Sequence, residues 1–424
     1  MSRSIIYDIT PLARRSVEDV GGVDRVAFAY GRHFAEARRP DVWGAFYGPL
    51  APHLLTLGEL EAILRNAEHA WRDDTPTEAD RGLAHILDWL GARQSNEPIK
   101  LRVVPPRGHA RATRVAFHVR HWLTGIARPL PSNAVYLNVF NAGREHRFLF
   151  DWLRRRRDVQ PVFFVHDLLP LDYPEYFRPG HVDLTRRRLD TIARDGTAYI
   201  TSTKVVRDRL VDFLRQLGRT EPRVHVAPLP SPLLPANDAS IEGSALQPYF
   251  VMIGTIEPRK NHLLILNLWR ELALSGSAIP KLVAVGAPGW ENEQALDMFE
   301  RCTVIHPHVL RVPRLPAPAL GQLIAHAQAL LMPSFDEGYG LPVVEALTLG
   351  TPVIASDISV FREITQGCAT LLPPLNGSSW RDTILAFAER QSPAWQEAKA
   401  TVARFHAPNW RNYFKGVESF LDAL

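Results

Sequence analysis

Two glutamates in one short segment are the residues of this 424-residue chain with the most evident chemistry. The segment reads Glu337-Gly-Tyr-Gly-Leu-Pro-Val-Val-Glu345 and follows an apolar stretch that predicts a strand. Gly338 and Gly340 free the backbone to turn, so amide groups at the start of the next helix can face an anion. Glu345 can accept hydrogen bonds from a ribose diol, and Glu337 lies at the strand end, where open α/β sheets bind ligands. The alternative is a pair of glutamates that only stabilise a helix dipole.

A second segment, Gly254-Thr-Ile-Glu-Pro-Arg-Lys-Asn261, places two cations where a strand is expected to lead into a helix. Arg259 and Lys260 at a helix N-terminus oppose the helix dipole, so as pure structure they are unfavourable. A bound diphosphate would reverse that sign, because the dipole and both cations would point at it. The other interpretation is a solvated pair of cations.

Short apolar strands alternate with amphipathic helices almost from end to end, a pattern typical of doubly wound parallel sheets. Asn261 is expected to cap the first helix of the second series, which carries Leu264, Leu268 and Leu272 on one face. The predicted strands cover residues 4–9, 42–47, 134–139, 162–166, 198–202, 224–227, 249–254, 282–286, 329–333 and 353–356.

This alternation predicts an α/β protein of two Rossmann-like domains. The first covers residues 1–228, with a helical insertion at about 58–128, and the second covers 249–406. A proline-containing linker at 229–248 joins them. A last helix over 407–424 has apolar residues at helical spacing and can cross back to the first domain.

Composition narrows the class of protein. Hydrophobic residues make up 46% and charged residues 22% of the chain, values typical of a globular protein. The two cysteines, Cys302 and Cys368, cannot form a disulfide framework, so a reducing cytoplasm is expected. The longest uncharged run, residues 315–335, contains prolines and polar residues and predicts a helix and a strand rather than a membrane span.

Arginines are concentrated in one part of the chain. No acidic residue occurs between Glu97 and Glu145, and residues 154–157 are four consecutive arginines. Three interpretations are a solvated face, an anionic membrane surface and nucleic acid. No known nucleic-acid-binding signature is present, which argues against the last. Residues 115–126 predict a helix whose apolar face includes Trp122, with arginines at its flanks, as suits the rim of an anionic bilayer.

The two segments resemble those of the retaining glycosyltransferases of family 4. Gly350-Thr-Pro-Val-Ile-Ala-Ser-Asp357 strengthens the likeness, and Val285-Gly-Ala-Pro-Gly-Trp-Glu-Asn292 is most similar to bacterial mannosyltransferases of O-antigen and exopolysaccharide assembly. The match is dense over roughly 195–370 and thin over the first half, where it rests on the Gly21-Gly22 loop, Asn138 and residues 165–170. The resemblance implies the GT-B fold, in which two Rossmann-like domains face a central cleft.

The resemblance also implies roles for the matched residues. Arg259 and Lys260 would bind the donor diphosphate. Glu345 would hold the ribose and Glu337 the hydroxyls of the donor sugar, with Glu337 and His166 as the catalytic residues. Many family members have arginine where this chain has Thr255, so Arg259 would take over its contact. The other donor-binding residues would be Gly22, Gly254, Gly338, Tyr339, Gly340 and Leu341.

The mechanism expected from this resemblance needs no metal and no cofactor. The chain has no Asp-x-Asp element that would bridge a metal to the diphosphate, so Arg259, Lys260 and a helix N-terminus must neutralise the leaving group. The resemblance implies retention of the anomeric configuration by front-face attack, with the departing phosphate as base. It further implies GDP-mannose as donor, a glycan or polyprenyl-diphosphate-linked acceptor, and a cytoplasmic enzyme that can contact the inner membrane.

Three other functions remain open at this point. The donor could be a UDP-sugar, the chain could be a nucleotide-sugar epimerase of the same fold, or it could be a non-enzymatic scaffold that binds nucleotide sugars. The spacing of the two glutamates favours transfer over epimerisation. A nicotinamide dehydrogenase is excluded, because no Gly-x-Gly-x-x-Gly follows the first predicted strand.

Overall fold

A computed structural model describes most of the chain. The described residues are 3–10, 12, 21–37, 41–46, 52–72, 76–91, 128–231, 247–276 and 279–424. Most of the predicted linker (232–246) and the predicted Trp122 helix (115–126) lie outside them. Two parallel-sheet α/β domains are present, as the alternation of strands and helices predicted.

The first sheet contains seven strands within the described residues. They are β1 (Ser4–Asp8), β2 (Val42–Phe46), β3 (His53–Leu55), β4 (Ala134–Asn138), β5 (Gln160–Val165), β6 (Ala198–Thr201) and β7 (Arg223–Val226). Their order is β3-β2-β1-β4-β5-β6-β7, and all neighbours are parallel except β3, which is antiparallel to β2. The order reverses between β1 and β4, and such a reversal opens a crevice at the carboxyl ends of the strands.

Helices cover both faces of this sheet, which is why its central strands are mostly apolar: every residue of β4 is buried, and Asn138 at its end is the polar one. The two helices that cover Leu57–Arg72 and Pro76–Leu90 lie at the start of the predicted insertion. The helices of this part are α1 (Gly22–Glu36), α2 (Leu57–Arg72), α3 (Pro76–Leu90), α4 (Asp151–Arg155), α5 (Leu169–Asp172), α6 (His181–Asp195) and α7 (Lys204–Gln216), with 3-10 turns at Arg147–Phe150 and Pro174–Tyr176.

The second sheet has six strands among the described residues, all parallel. They are β8 (Tyr249–Ile253), β9 (Lys281–Val285), β10 (Val309–Val312), β11 (Leu330–Met332), β12 (Val353–Ser356) and β13 (Thr370–Leu372), in the order β10-β9-β8-β11-β12-β13. The switch point lies between β8 and β11, so the segments that follow these two strands share one crevice. Those segments are the two motifs found in the sequence.

The helices of the second domain pack on both faces of its sheet. Phe250, Met252 and Trp269 are in one apolar cluster of this domain, and Val251 and Val343 are in another. The helices are α8 (His262–Ser275), α9 (Glu293–Arg301), α10 (Ala317–Ala325), α11 (Leu341–Thr348), α12 (Ser359–Ile364), α13 (Gly377–Phe387), α14 (Pro393–Val402) and α15 (Trp410–Asp422), after a 3-10 turn at Pro258–Lys260.

Asn261 is the N-cap residue of α8, as predicted, but its side chain makes no capping hydrogen bond. Asn261 has a left-handed backbone, with φ of 56°, and its amide donates instead to the carbonyl oxygens of Pro333 and Pro374. This ties the second motif to the loops after β11 and β13. The buried face of α8 is also shifted from the predicted one: it includes Ile265 and Trp269 besides Leu268 and Leu272, and Leu264 is only partly buried.

The last helix, α15, packs against the first domain. Its Tyr413 hydroxyl lies 2.8 Å from the Tyr30 hydroxyl of α1, and the ring of Phe414 stacks on His33 with centroids 3.8 Å apart. Phe420 stacks on His225 of β7. None of the helices in the described residues is long and apolar enough to span a membrane.

Candidate active site

The loop between β11 and α11 carries Glu337 and is shaped by two glycines. Gly340, the residue before α11, has φ of 100°, a left-handed conformation that side chains disfavour. A Cβ there would also lie 2.6 Å from Cε1 of Phe361. A Cβ at Gly338 would lie 2.6 Å from the carbonyl oxygen of His166 in the first domain. The glycines therefore allow the loop to approach both its own domain and the opposite one.

Glu337 is the centre of a buried ionic cluster. Its two carboxylate oxygens lie 2.5 Å from Nζ of Lys260 and 2.6 Å from Nη1 of Arg259. The hydroxyl of Ser334 donates to the same carboxylate at 2.7 Å. Burial would raise the pKa of Glu337, but the charges of Arg259 and Lys260 lower it to about 2. The carboxylate is thus ionised at every physiological pH.

Arg259 is held by a second carboxylate and by the backbone of the Glu337 loop. Its Nη2 lies 2.6 Å from Glu257, and its Nη1 donates to the carbonyl oxygen of Asp336 at 2.6 Å. The Nε of Arg259 is buried and has no hydrogen-bond partner in the described structure. A buried donor without a partner is costly, so it marks a place where an incoming acceptor would be stabilised.

Lys260 approaches Gly254 at the end of β8. Gly254 has φ of 144°, and a Cβ there would contact Cε of Lys260 at 3.3 Å. Burial lowers the pKa of Lys260, and the neighbouring Glu337 opposes that shift. Glycine at this position therefore lets the lysine stem lie along the strand end and reach the carboxylate.

Glu345, in the second turn of α11, lies in a different environment. It is 2% exposed, and Nη1 of Arg25 lies 3.4 Å from its Oε1. Burial raises the pKa of Glu345 to about 7, and the charge of Arg25 only partly opposes this. The two glutamates of the motif thus differ: Glu337 is firmly ionised, whereas Glu345 titrates near neutral pH.

Two helix N-termini face each other across the cleft. A Cβ at Gly22, the first residue of α1, would lie 3.1 Å from Cδ1 of Leu341, the first residue of α11. The backbone N–H of Gly21 is already capped by Asp24 at 2.9 Å. Because both helices direct their positive ends into the same space, an anion between them would be stabilised.

His166 follows β5 and is buried beside the Glu337 loop. Its Nε2 lies 2.8 Å from the carbonyl oxygen of Val139 and donates to it. Burial lowers the pKa of His166 to about 4; the bond to Val139 opposes this, and the charge of Arg144 adds to it. The ring is therefore neutral at pH 7, with Nδ1 as the nitrogen that can accept a proton.

The side chain of Tyr339 contacts the predicted linker rather than the cleft. Its hydroxyl donates to the carbonyl oxygen of Leu229 at 2.7 Å, and the residue is 7% exposed. Only its backbone remains available to a ligand. Two contacts between the domains involve the other sequence-predicted residues: Gly22 lies against Leu341, and Gly338 lies against His166.

Sequence reasoning missed several residues that hold the site. Asp336 accepts from the backbone N–H of Glu337 at 2.7 Å and lies 2.6 Å from Nη2 of Arg209, which belongs to α7 of the first domain. Ser334 and Asp336 could have been noticed as polar neighbours of Glu337. No local signal marks Arg209, because its partner is 127 residues away in the chain.

The described residues contain no cluster of side chains that could ligate a metal. Across the described part of the chain, no group of three or more histidines, cysteines, aspartates or glutamates could hold a metal ion. Glu257, Asp336, Glu337 and Glu345 are each paired with arginine or lysine instead. The chemistry that this arrangement can supply is electrostatic: cations and amide groups aimed at an anion, beside carboxylates that accept hydrogen bonds.

The chain has two parallel-sheet α/β domains, each with a switch point between two of its strands. Arg259, Lys260 and two carboxylates lie where the domains meet. Residues 238–390 match the family model of glycosyl transferases group 1. The match covers most of the second domain and both motifs, in agreement with their resemblance to the family 4 glycosyltransferases of the GT-B fold.

The matches to curated relatives extend over only part of this chain and of each relative. The chain is 30% identical over 229 residues to the serotype-specific mannosyltransferase WbdA of Escherichia coli, covering 48% of this chain and 27% of the relative. It is 29% identical over 171 residues to the O-antigen chain mannosyltransferase RfbU of Salmonella typhimurium, covering 38% of this chain and 44% of the relative. The chain thus spans less than half the length of these relatives.

Solved structures extend the comparison to the whole fold. HepE of Anabaena, in a crystal structure with UDP and glucose, superimposes with a TM-score of 0.60 at 14% identity and covers 100% of both chains. A sucrose-phosphate synthase from Thermosynechococcus elongatus has a TM-score of 0.53 at 17% identity, covering 72% of this chain and 76% of that one. At such low identity these likenesses establish the fold alone.

Proposed function

We propose that the chain is a retaining glycosyltransferase that moves a hexosyl group from a nucleotide sugar to a glycan or lipid-linked saccharide. The observation that carries this proposal is the buried cluster of Arg259 and Lys260 on Glu337, beside the N-terminus of α11. A nucleotide-sugar diphosphate is an anion that fits both cations and the helix end. The second domain (249–406) would bind the donor and the first (1–228) the acceptor.

The donor would be held at three places. The diphosphate would contact Arg259 and Lys260, together with the backbone amides of the α11 end and the Gly21-Gly22 loop. Glu345 would accept hydrogen bonds from the ribose. Glu337, fixed by its two cations, would accept from the hydroxyls of the donor sugar, and Gly254, Gly338, Gly340 and the backbone of Leu341 would give the room for these contacts.

The transfer step requires stabilisation of the departing diphosphate. Negative charge on its oxygens grows as the glycosidic bond breaks, so donors that are already in place lower the barrier most. In the described structure Arg259 has one buried donor atom without a partner. Lys260 donates one of its three N–H bonds to Glu337. His166 would contact the sugar on the first-domain side as a neutral ring. The departing phosphate oxygen would take the proton of the attacking acceptor hydroxyl.

The identity of the donor is proposed from the relatives. WbdA and RfbU are both named mannosyltransferases, and mannose from GDP-mannose is therefore the donor that we propose. The alternative, a UDP-sugar, is favoured by the UDP bound to HepE. Because the mannosyltransferases are about 30% identical to this chain over the aligned residues and HepE is 14% identical, the mannosyl donor is the better supported of the two.

A thermal-shift screen separates these donors. The protein is melted with GDP-mannose, UDP-glucose, UDP-N-acetylglucosamine or NAD, each also in EDTA. A rise of Tm with GDP-mannose alone supports the proposal, a rise with a UDP-sugar supports the alternative donor, and a response to NAD alone or to none contradicts both. Incubation of the stabilising donor without acceptor then tests the epimerase, which would convert the sugar, and the scaffold, which would leave it unchanged even with acceptor.

We also propose that the acceptor is presented at an anionic membrane surface. The 3-10 turn at Arg147–Phe150 exposes 59% of Phe148, and the adjoining α4 segment exposes Arg154, Arg155 and Arg157. An exposed aromatic ring beside several arginines suits the headgroup region of an anionic bilayer. These four residues are called the arginine patch below.

A further inference from the structure

Arg25 is the residue that contacts Glu345 across the domain boundary. It lies in the first turn of α1, three residues after Gly22, and its side chain remains 29% exposed. Its guanidinium reaches from the first domain to a carboxylate of the second that is 2% exposed. No motif of the sequence pointed to this residue.

The contact between Arg25 and Glu345 is weak compared with the contacts that Glu337, the other carboxylate of the motif, receives. Glu337 receives three donors at 2.5 to 2.7 Å. In the described structure, Glu345 receives one side-chain donor, at 3.4 Å, near the outer limit of a hydrogen bond. A buried carboxylate with one long contact is poorly satisfied, so a better set of donors would displace Arg25.

The space beside Arg25 is suited to an anion. Arg25 stands on the same helical turn as the Gly21-Gly22 loop, whose close approach to Leu341 brings the N-termini of α1 and α11 together. A guanidinium released from Glu345 needs only to rotate about its own side chain to face that space. Its planar fork matches the geometry of phosphate oxygens.

We propose that Arg25 is a donor-binding residue that exchanges partners: the ribose hydroxyls replace it on Glu345, and its guanidinium then binds the diphosphate. This inference rests on the proposed function and assigns to the first domain a cation for the leaving group. Binding of the nucleoside part and binding of the diphosphate are then coupled through one side chain. A nucleoside alone must displace Arg25 without providing it with a new partner.

The alternative is that Arg25 only neutralises Glu345. Nucleotide affinities distinguish the two roles. Calorimetry is run on the wild type, Arg25→Ala, Arg25→Lys and the matched control Arg32→Ala, an exposed arginine of the same helix paired with Glu36. The probes are guanosine and GDP, and uridine and UDP.

If Arg25 binds the diphosphate, Arg25→Ala lowers affinity for the preferred nucleoside diphosphate at least tenfold, and its nucleoside binds as well as before or better. Arg25→Lys retains part of the affinity for the diphosphate, and Arg32→Ala behaves as the wild type. Equal losses for nucleoside and diphosphate, or no loss for either, would overturn the inference. A wild type that binds neither diphosphate contradicts the proposed function itself, so the two failures can be told apart.

The same comparison in a Glu345→Gln variant makes the test independent of the charge of Glu345. In Glu345→Gln the carboxylate is absent, so an effect of Arg25→Ala that acts through Glu345 must disappear. A direct contact with phosphate predicts that Arg25→Ala still lowers diphosphate affinity in this background by a similar factor. Loss of the effect there would show that Arg25 serves Glu345 alone.

Discussion

The backbone of Gly338 lies directly against the backbone of His166, so that a Cβ at Gly338 would come within 2.6 Å of the His166 carbonyl oxygen. Such a distance is far inside van der Waals contact, and the obstructing atom belongs to a strand end that cannot swing away. The domains therefore meet through backbone at the centre of the site. The cleft can close at this point because Gly338 has no side chain.

Gly338→Ala should hold the domains apart at this contact. We expect turnover to fall at least about tenfold, because a misplacement of about 1 Å between catalytic groups costs that much or more. Nucleotide affinity, measured by calorimetry, should change less, since most of the donor contacts lie in the second domain. The matched control is Gly58→Ala, whose added Cβ would meet no atom within 4 Å. Unchanged turnover in Gly338→Ala would contradict the closed arrangement.

Lys260→Ala should lower turnover by a factor of about 10² to 10³, the cost of one lost donor to a developing anion. It also removes one of the two cations from buried Glu337, and breaking a buried pair destabilises by about 3–5 kcal/mol. Single-turnover kinetics and chemical denaturation measure the two effects separately. Arg259→Ala should behave similarly. Lys415→Ala, at an exposed lysine of α15, is the control. Full activity in a folded Lys260→Ala protein would remove the lysine from the mechanism.

Glu345 should make donor affinity depend on pH. Ribose hydroxyls donate to the ionised carboxylate, and the pKa of Glu345 is about 7, so affinity for a nucleotide sugar should rise as pH increases through 7. The diphosphate of a nucleotide sugar does not titrate in this range. Glu345→Gln should abolish the dependence and weaken binding by about 1.5–3 kcal/mol at high pH. Calorimetry from pH 5.5 to 8.5 would count against the ribose contact if wild type and variant gave parallel profiles.

The same titration has a consequence for stability without donor. The folded pKa of Glu345 is raised above its ordinary value of 4.5, so its stabilising contribution is complete below pH 4.5 and is lost as pH rises to about 7. At 1.36 kcal/mol per unit, the loss approaches about 3 kcal/mol. Glu345→Gln should therefore become more stable than the wild type at pH 8, as denaturant unfolding can measure. A gain in stability on substitution is expected for a residue that binds a ligand but destabilises the fold without it.

His166→Ala should reduce turnover by about 100-fold or more, with nucleotide affinity nearly unchanged, because the histidine lies in the first domain. Its pKa of about 4 means that the ring does not titrate between pH 5.5 and 8, so wild-type turnover should show no step near 6.5. His146→Ala, an exposed histidine of the same domain, provides the comparison. A parallel loss of turnover and nucleotide binding would instead indicate a structural histidine.

The part of the fold that sequence predicted is the part encoded locally. Apolar runs bounded by glycine or proline identified β1, β2, β4–β9, β11 and β12 to within a residue or two, because strands buried on both faces must be apolar. The strands β3, β10 and β13 were missed. They are short, and β10 contains Arg311, a charged residue in an edge strand.

The motif residues of the candidate site could be chosen from the sequence, but the residues that they contact could not. Glu337, Glu345, Arg259 and Lys260 stood out by type and spacing. That Lys260 and Glu337 form an ion pair is not local information, since they are 77 residues apart, and Arg25 and Glu345 are 320 apart. Asn261 does stand at the start of α8, as its propensity favours, but its side-chain amide donates to acceptors of two distant loops, which the local sequence does not reveal.

The arginine patch should bind anionic membranes. Each basic residue near such a surface contributes about 1 kcal/mol, so Arg154, Arg155 and Arg157 together could supply about 3 kcal/mol, or roughly a 100-fold change in partitioning. Phe148, 59% exposed beside them, adds an aromatic ring that prefers the headgroup region.

Co-sedimentation with liposomes of increasing anionic lipid content, at low and high salt, measures this affinity for the intact protein. We expect binding that increases with anionic lipid and fades in salt, because exposed charges are screened. Arg154→Glu with Arg157→Glu should abolish it, and Phe148→Ser should weaken it at every salt concentration. Arg215→Glu, an equally exposed arginine of α7, should bind as the wild type. Binding that ignores lipid charge, or that survives the double reversal, would leave these arginines as a solvated surface of the enzyme.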